Sequence, residues 1–311
     1  MKKNGLLIAL SLFSAIGFAQ EAIVSEAPEP VVIKNENTIA MDATEAYWVF
    51  SGLVTTENGE RFNYYFQMQR KDQLFQSLAM LIDSQTSEVL LFARNVTVLA
   101  HPDETNWRVG DSFMHFNPIN NSWVFGVKAK GHKGFNFKVD MLGQSQNSTT
   151  RQNLRSGIEL LVNQTGHLNG HIQTGEGEKE QFVTAQKAWF KQIWVSQNQQ
   201  ASHPLMTVLC QFHDGSGFYA ANLQESDALR GAIAGWRDMQ GSVSPMSQFV
   251  SMKEAKEGEW QIAIPSPKVN LTLEDALAKE NDKHQLIAGM TKGEMPGFCT
   301  ISKDEIGVPI S

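Results

Sequence analysis

Two segments of this chain show the same order of features, and that repetition limits the folds the chain can adopt. The first runs from Tyr47–Leu53 through a turn at Glu57–Gly59 into the aromatic segment Phe62–Phe66. The second runs from Trp189–Trp194 towards a turn at His213–Gly215, again followed by aromatic residues. An apolar segment, a glycine-containing turn and a second apolar segment are typical of antiparallel strands. The repetition predicts two related β-barrels in tandem.

Alternation of apolar and polar residues supports this interpretation. Large apolar side chains occupy every second position of one segment, at Phe62, Tyr64, Phe66 and Met68. Period two places them on one face of a strand, so one face is buried and the other is wet. The best helical candidate is Thr272–Glu280, although Lys268–Leu273 fits a strand equally well. Closing such a sheet into a barrel removes its edges, and roughly eight strands leave room for a small ligand.

The predicted fold is therefore all-β, with two tandem antiparallel barrels and few short helices. We expect a signal peptide at 1–19, an extended lead-in at 20–40, a first barrel at 41–195 and a second at 196–311. The boundary is placed in the glutamine-rich stretch from residue 196 to Pro204, which lacks periodicity.

The N-terminus predicts export. Lys2 and Lys3 precede an apolar stretch from Leu6 to Ile16, and small residues then mark a cleavage site before Gln20. A membrane anchor needs about 20 apolar residues, and this stretch is shorter. We expect a periplasmic or secreted protein without a transmembrane segment after signal removal.

The charge balance argues against some partners. The chain has 33 acidic and 26 basic residues, and removal of residues 1–19 takes away two lysines and no acid, changing the net charge from −7 to −9. An acidic surface disfavours nucleic acid and anionic lipid headgroups. No nucleotide-binding fingerprint occurs in the sequence, and we expect no cofactor.

The remaining candidate side chains are the two cysteines and the paired histidines. Cys210 and Cys299 lie in apolar segments, where they are either buried thiols or one disulfide of the second barrel. His167 and His171 lie four residues apart, but glycines oppose a helix there, and on a strand that spacing is about 13 Å. One ion cannot bridge that distance, so no metal site is expected.

At this point the residues resemble a known family. The segment Trp48–Gly52 with the Gly59 turn, the segments Glu180–Trp194 and Leu205–Leu223, and Gly297–Thr300 resemble the AttH-like and carotenoid 1,2-hydratase (hydroxyneurosporene synthase) proteins. The resemblance covers most of the chain outside the signal peptide. It implies two lipocalin-like barrels and, in some members, addition of water to an alkene.

The chain departs from the hydratase pattern at the positions that matter for catalysis. Members with hydratase activity place Asp-His between two tryptophans, where this chain has Lys191-Gln192, and the glutamate of their closing strand corresponds to Thr300. Protonating carbon requires a positioned acid; glutamine cannot donate that proton, and lysine is a weak acid unless burial depresses its pKa.

These observations predict a binding function more directly than a catalytic one. We expect an exported protein that binds a hydrophobic small molecule (a lipid, isoprenoid or polyene) without catalysis; the alternatives are a hydratase, isomerase or cyclase acting on a polyene or terpenoid, and a protein whose barrels bind another protein. Catalytic residues are not assigned. The candidate ligand-binding residues are Trp189, Lys191, Gln192, Trp194, Trp48 and Tyr64.

Overall fold

The fold is seen in a computed structural model that describes residues 43–128, 133–141, 149–155, 157–175, 178–196, 202–225, 228–278 and 286–307. The predicted signal peptide at 1–19 and lead-in at 20–40 lie outside these ranges. Residues 39–311 form one compact unit.

All regular structure in the described part of the chain is β-strand, in two antiparallel sheets. The first sheet has thirteen strands: β1 (Glu45–Thr56), β2 (Arg61–Lys71), β3 (Leu74–Asp83), β4 (Val89–Val98), β5 (Asn106–Val109), β6 (Ser112–Asn117), β7 (Ser122–Lys128), β8 (Gly134–Asp140), β9 (Thr149–Arg155), β10 (Ile158–Gln164), β11 (Leu168–Gln173), β12 (Gln181–Ala185) and β13 (Trp189–Val195). The second has nine: β14 (His203–Phe212), β15 (Gly217–Glu225), β16 (Ala228–Arg237), β17 (Val243–Pro245), β18 (Ser251–Lys256), β19 (Glu259–Pro265), β20 (Lys268–Glu274), β21 (Leu286–Lys292) and β22 (Gly297–Ile306).

The all-β prediction is confirmed, and the ambiguous segment is a strand. Residues 268–274 form β20, and the chain turns at 276–278. Leu271 and Leu273 are buried, whereas Asn270, directly before Leu271, is exposed. This is the period of a strand with one buried face. Residues 279 and 280 lie outside the described ranges.

Ten strands of the first sheet form a nearly closed barrel. Their order is β4-β3-β2-β1-β12-β11-β8-β7-β6-β5, which brings β4 and β5 to the two free edges. These edges approach at the turn between β5 and β6, where Gly110 has a φ of +59° and lies against the Asn95 side chain of β4. A Cβ atom at Gly110 would lie 2.4 Å from Asn95 Oδ1, so only glycine fits this contact without rearrangement.

The predicted alternation of β2 is confirmed. The apolar side chains at every second position of β2 face the inside of the first barrel. They belong to a buried cluster with residues from the facing strands. Tyr65 lies on the opposite face of the strand, in a different cluster. The alternation therefore fixes which side chains can meet a ligand inside the barrel.

The remaining three strands of the first sheet leave the barrel. β1 pairs with β13 over Glu45–Ser51 and with β12 only at Thr55 and Thr56. β13 continues the sheet outwards through β10 to β9, and β9 approaches β16 of the second sheet. This extension provides a wall between the two sheets.

The second sheet curves around its own core. Side chains from β14, β15 and β22 share one buried cluster with side chains from β19 and β20, which requires the sheet to fold over. Cys210 of β14 and Cys299 of β22 lie opposite each other in register and form a disulfide inside this core. The disulfide alternative for the two cysteines is therefore the one observed.

A third buried cluster joins the sheets. It combines Tyr47, Val49 and Tyr65 of the first sheet with residues such as Leu205 and Leu223 of the second. We refer to the region between the outer faces of the two sheets as the seam. The predicted division of the chain at residue 196 stays a prediction, because two sheets that share a core are not thereby two independently folding domains.

No described helix is long and apolar enough to cross a bilayer.

Candidate functional site

The predicted ligand-binding residues lie on two opposite faces of the first sheet. Trp48, Tyr64 and Trp194 belong to the buried cluster inside the first barrel. Gln192 is buried on the same face of β13 as Trp194, since the two are two residues apart. Trp189 and Lys191 occupy the other face and point into the seam. The six residues therefore do not line one cavity, because neighbours along a strand face opposite sides.

The interior of the first barrel is aromatic. Phe50 and Phe125 are stacked with ring centroids 4.1 Å apart, and they form the middle of a series of ring contacts. Tyr64 lies on one side of this pair, with its ring 6.1 Å from Phe125, and Trp123 lies on the other side, 6.0 Å from Phe50. Trp48 contacts Trp107 at 4.7 Å further along the barrel.

Several buried polar atoms in this interior have no partner among the described residues; besides the hydroxyls of Ser77 and Ser112, two belong to aromatic side chains. Tyr64 Oη and Trp123 Nε1 are buried and form no hydrogen bond within the described part of the chain. Buried tyrosine and tryptophan usually satisfy these groups. Elsewhere in this protein they do: Trp107 Nε1 donates to Asp103 O at 2.6 Å, and Trp189 Nε1 donates to Cys210 O at 2.8 Å.

Burial of Tyr64 also determines the protonation state of its phenol. Desolvation raises the pKa of Tyr64 above its ordinary value of 10.0. The group is therefore a neutral hydroxyl at physiological pH. It can donate a hydrogen bond to a buried ligand, but it is a poor source of protons.

A cleft opens at one end of the first barrel, where the β1–β2, β3–β4 and β11–β12 connections meet. It has a volume of about 430 Å³, and its apolar lining includes Phe62 and Leu90. Phe62 lies two residues before Tyr64 on the same face of β2, and it also lines this cleft. We call this the mouth cleft.

Lys191 is enclosed at the seam and already paired. Its Nζ donates to Thr207 Oγ1 at 2.7 Å and to Ser302 Oγ at 2.9 Å, and it lies 3.7 Å from Asp304 Oδ2. Burial lowers the pKa of Lys191, while the charge of Asp304 and its hydrogen bond oppose that shift. Lys191 therefore has a buried acidic partner from the second sheet.

A second polar network lies beside it. Tyr47 Oη donates to Glu45 Oε1 at 2.6 Å, and the backbone N–H of Gly307 donates to Glu45 Oε2 at 2.8 Å. Burial raises the pKa of Glu45, and these hydrogen bonds counteract the increase. Tyr65 Oη donates to Gln67 Oε1 at 2.5 Å. The hydrogen bond from Gly307 therefore joins the start of β1 to the residue that follows β22.

Trp189 packs in the seam beside a buried cation. The Arg237 guanidinium carbon lies 5.5 Å from the Trp189 ring and 5.6 Å from the Tyr219 ring, distances at which cation–π attraction operates. Arg237 is fully buried, and its Nη2 donates to Val162 O at 3.2 Å. Burial lowers the pKa of Arg237 to about 10, so it remains a cation at neutral pH.

Two further clefts open along the seam, and their charges have opposite sign. One, of about 360 Å³, is lined by three basic side chains, Arg61, Lys187 and His213, together with Leu53, Thr55, Thr184, Ala185, Gln186, Gln211, Phe212, Gly215 and Met239. The other, of about 690 Å³, is lined by four acidic side chains and Lys292, together with Ser87, Val89, Gly258, Ala276, Ala278 and Met290; its acids are Glu88, Glu257, Glu274 and Asp275. We call them the basic cleft and the acidic cleft.

The histidines do not form a catalytic or metal-binding group in the described residues. His167 and His171 are exposed, and His171 makes an edge-to-face contact with Phe182. His213 is exposed at the basic cleft, and His115 is on the outward face of β6. The described part of the chain contains no group of three or more His, Cys, Asp or Glu side chains arranged to hold a metal ion.

Sequence reasoning missed several residues of these sites. Thr207, Ser302 and Asp304 come to Lys191 from strands far along the chain, so no local spacing signals them. The unpaired Nε1 of Trp123 depends on which carbonyls face it, and no sequence pattern shows that. The alternation of β7 does place Trp123 inside the barrel, and that was the available signal.

Comparison with solved structures identifies the fold of this chain. The AttH protein of Nitrosomonas europaea has 14% identity, with 84% of this chain and 93% of that chain covered, and a TM-score of 0.58. Kievitone hydratase of Nectria haematococca has 12% identity, with 84% and 89% covered, and a TM-score of 0.55. No protein-family model matches the chain, and no curated protein does. The chain has the AttH-like lipocalin fold, as the resemblance implied.

Proposed function

We propose that this protein binds an apolar small molecule, of the lipid, isoprenoid or polyene class, inside its first barrel. The observation that carries the proposal is the pair of unpaired donors, Tyr64 Oη and Trp123 Nε1, on either side of the Phe50–Phe125 stack. Apolar walls with a few polar groups that orient the ligand are typical of small-molecule sites. An acceptor oxygen on the ligand would satisfy either donor.

Entry through the mouth cleft agrees with this arrangement. Phe62 lines that cleft and precedes Tyr64 on the interior face of β2, and in this proposal rotation of its ring opens a path between the two. Gly52 and Ala188 lie against each other beside Tyr64, which keeps bulky side chains away from this level of the barrel. The aromatic interior is closely packed, and binding therefore requires ring movement.

Two observations bear on where the protein acts. The lysine-led apolar N-terminus resembles an export signal, and the Cys210–Cys299 disulfide is of the kind that persists in oxidising compartments. We therefore propose that it acts in the periplasm or outside the cell.

A single substitution tests the binding proposal. Tyr64→Phe removes an unpaired buried hydroxyl, so without a ligand the variant should be as stable as the wild type or slightly more stable. If the hydroxyl holds the ligand, affinity should fall about tenfold, the loss of one hydrogen bond of about 1.4 kcal/mol. The measurement is native mass spectrometry of detergent-free protein with solvent extraction of bound molecules, followed by titration with the compound recovered.

Tyr65→Phe is the matched control, because its hydroxyl is on the opposite face of the same strand and is already hydrogen-bonded to Gln67. We expect Tyr65→Phe to lose stability and keep ligand affinity. Equal affinities of Tyr64→Phe and wild type for the recovered compound would refute the proposed site, as would recovery of no apolar compound.

A hydratase function is the second candidate, favoured by the fold shared with kievitone hydratase. Against it, Gln192 lies inside the first barrel at the position where the hydratase pattern has histidine, and Tyr64 is a weak acid. Incubation with the recovered compound in ¹⁸O-labelled water distinguishes the candidates. A binding protein returns the compound unchanged, whereas a hydratase returns a product heavier by one labelled water.

A further inference from the structure

The basic cleft has the chemistry of an anion site in an acidic protein. Its lining contains Arg61, Lys187 and His213 and no carboxylate, whereas acidic residues outnumber basic ones in the whole chain. Leu53, Phe212 and Met239 give it an apolar wall. We propose that the basic cleft binds the carboxylate of a small amphiphile, with the apolar part of that molecule against this wall.

A buried guanidinium beside the cleft supports the proposal independently. Arg237 is fully buried, yet its Nε and Nη1 form no hydrogen bond in the described residues, and no carboxylate there forms an ion pair with it. An isolated buried charge is strongly unfavourable unless a counter-charge or hydrogen bonds compensate it. Arg237 precedes Asp238 and Met239, and Met239 lines the cleft.

Two buried amides near the cleft are also unsatisfied. Gln211 lines the cleft, is 7% exposed, and its Oε1 has no partner in the described part of the chain. Gln164 is 4% exposed, and both its amide atoms lack a partner there. Gln164 and Lys187 meet at Gly241, where a Cβ would lie 4.0 Å from Gln164 Oε1 and 3.6 Å from Lys187 Nζ. These amides can hydrogen-bond a polar headgroup.

Three cations, Arg61, Lys187 and the adjacent Arg237, outnumber the two carboxylates beside the cleft. Asp214 and Asp238 are the adjacent carboxylates, and each accepts hydrogen bonds within its own turn, from Ser216 and Ser242 respectively. Burial lowers the pKa of His213, and the charge of Arg61 lowers it further against the opposing effect of Asp214. A bound carboxylate would reverse part of this shift.

The site is separate from the barrel interior. Leu53 and Thr55 are on the strand positions of β1 that alternate with the interior residues Gly52 and Val54. The proposal therefore stands whether or not the first barrel holds a ligand. The acidic cleft along the same seam provides an internal reference with the opposite charge.

Calorimetric titration of the purified protein with decanoate tests the proposal. We expect binding to the wild type, at least tenfold weaker binding of the uncharged methyl decanoate, and at least tenfold weaker decanoate binding by Arg61→Gln. Arg237→Met should keep or improve stability, since it replaces a buried charge with an apolar chain, but should also weaken decanoate binding. The His213 imidazole resonance should titrate at higher pH with decanoate bound.

Two controls make the result decisive. Lys292→Gln removes one positive charge from the acidic cleft and should bind decanoate like the wild type. Inorganic phosphate shows whether a headgroup alone suffices, and tight phosphate binding that excludes decanoate would overturn the amphiphile assignment. Absence of decanoate binding, equal binding of the ester, or an equal loss in Lys292→Gln would overturn the proposal.

Discussion

Lys191 shows how one residue determines the relation between the two sheets. Its side chain is 1% exposed, and its ammonium group is held by two hydroxyls and one carboxylate from the second sheet. Such a pair adds little net stability compared with apolar residues, but separating its members leaves a buried charge uncompensated. The Lys191–Asp304 pair therefore favours one register between the sheets over others.

Removing one member of this pair should be costly, and removing both should not. We expect Asp304→Asn to lower the free energy of unfolding by about 3 kcal/mol, because a buried ammonium loses its counter-charge. The double variant Lys191→Met/Asp304→Asn should recover most of this loss. Urea denaturation of the four proteins of this cycle provides the measurement, and a loss below about 0.5 kcal/mol in Asp304→Asn would place the pair among weak surface ion pairs.

For single residues, the sequence predicts which face of a strand a side chain occupies, but not which residue of the other sheet it contacts. Alternation correctly separates Tyr64 from Tyr65 and Trp194 from Lys191, since period two is a property of the strand itself. It does not show that Asp304 meets Lys191, because that contact depends on how two sheets pack. Grouping Trp189 with Trp194 overlooked the same period, since an odd separation places them on opposite faces.

Among the elements, β14 and β22 hold the second sheet together. They pair from His203 to Phe212 and carry the Cys210–Cys299 disulfide at a directly opposed position. The cysteines are 89 positions apart in the chain, and the segment between them contains the intervening strands of this sheet. A cross-link of this span restricts the unfolded chain substantially.

Loss of the disulfide should therefore destabilise the protein measurably. We expect Cys210→Ala/Cys299→Ala to lower the free energy of unfolding by about 2–4 kcal/mol, the usual range for a native disulfide. Denaturation of the wild type in dithiothreitol should shift to the variant's midpoint, and the variant should not respond to the reductant. A wild type unaffected by complete reduction would contradict this expectation.

Sequence patterns predicted the strands better than their connections. β2 follows from its alternation and from the turn before it, and a sheet with short connections is antiparallel. The sequence did not predict that β13 and β10 leave the barrel. β1 pairs with β12 and β13 in succession, and no local pattern encodes one strand edge shared by two partners.

For the whole molecule, the seam determines whether the two sheets unfold together. The buried cluster between the sheets contains large apolar side chains from both, among them Tyr65 and Ile193 from the first and Leu209 and Phe298 from the second. The Lys191 and Glu45 networks lie in the same region, and each crosses from one sheet to the other. Large apolar interfaces couple domains, whereas small polar ones let them move.

We therefore expect the two sheets to unfold together in a single transition. In scanning calorimetry of the wild type, the calorimetric and van't Hoff enthalpies should agree, as they do for one cooperative unit. Asp304→Asn weakens the contact between the sheets and leaves each core intact, so it should broaden or split this transition. Gln261→Ala, an exposed change on β19, serves as the control and should keep one transition. Two resolved transitions in the wild type would show that each sheet is stable alone, and that the shared cluster contributes less than either core.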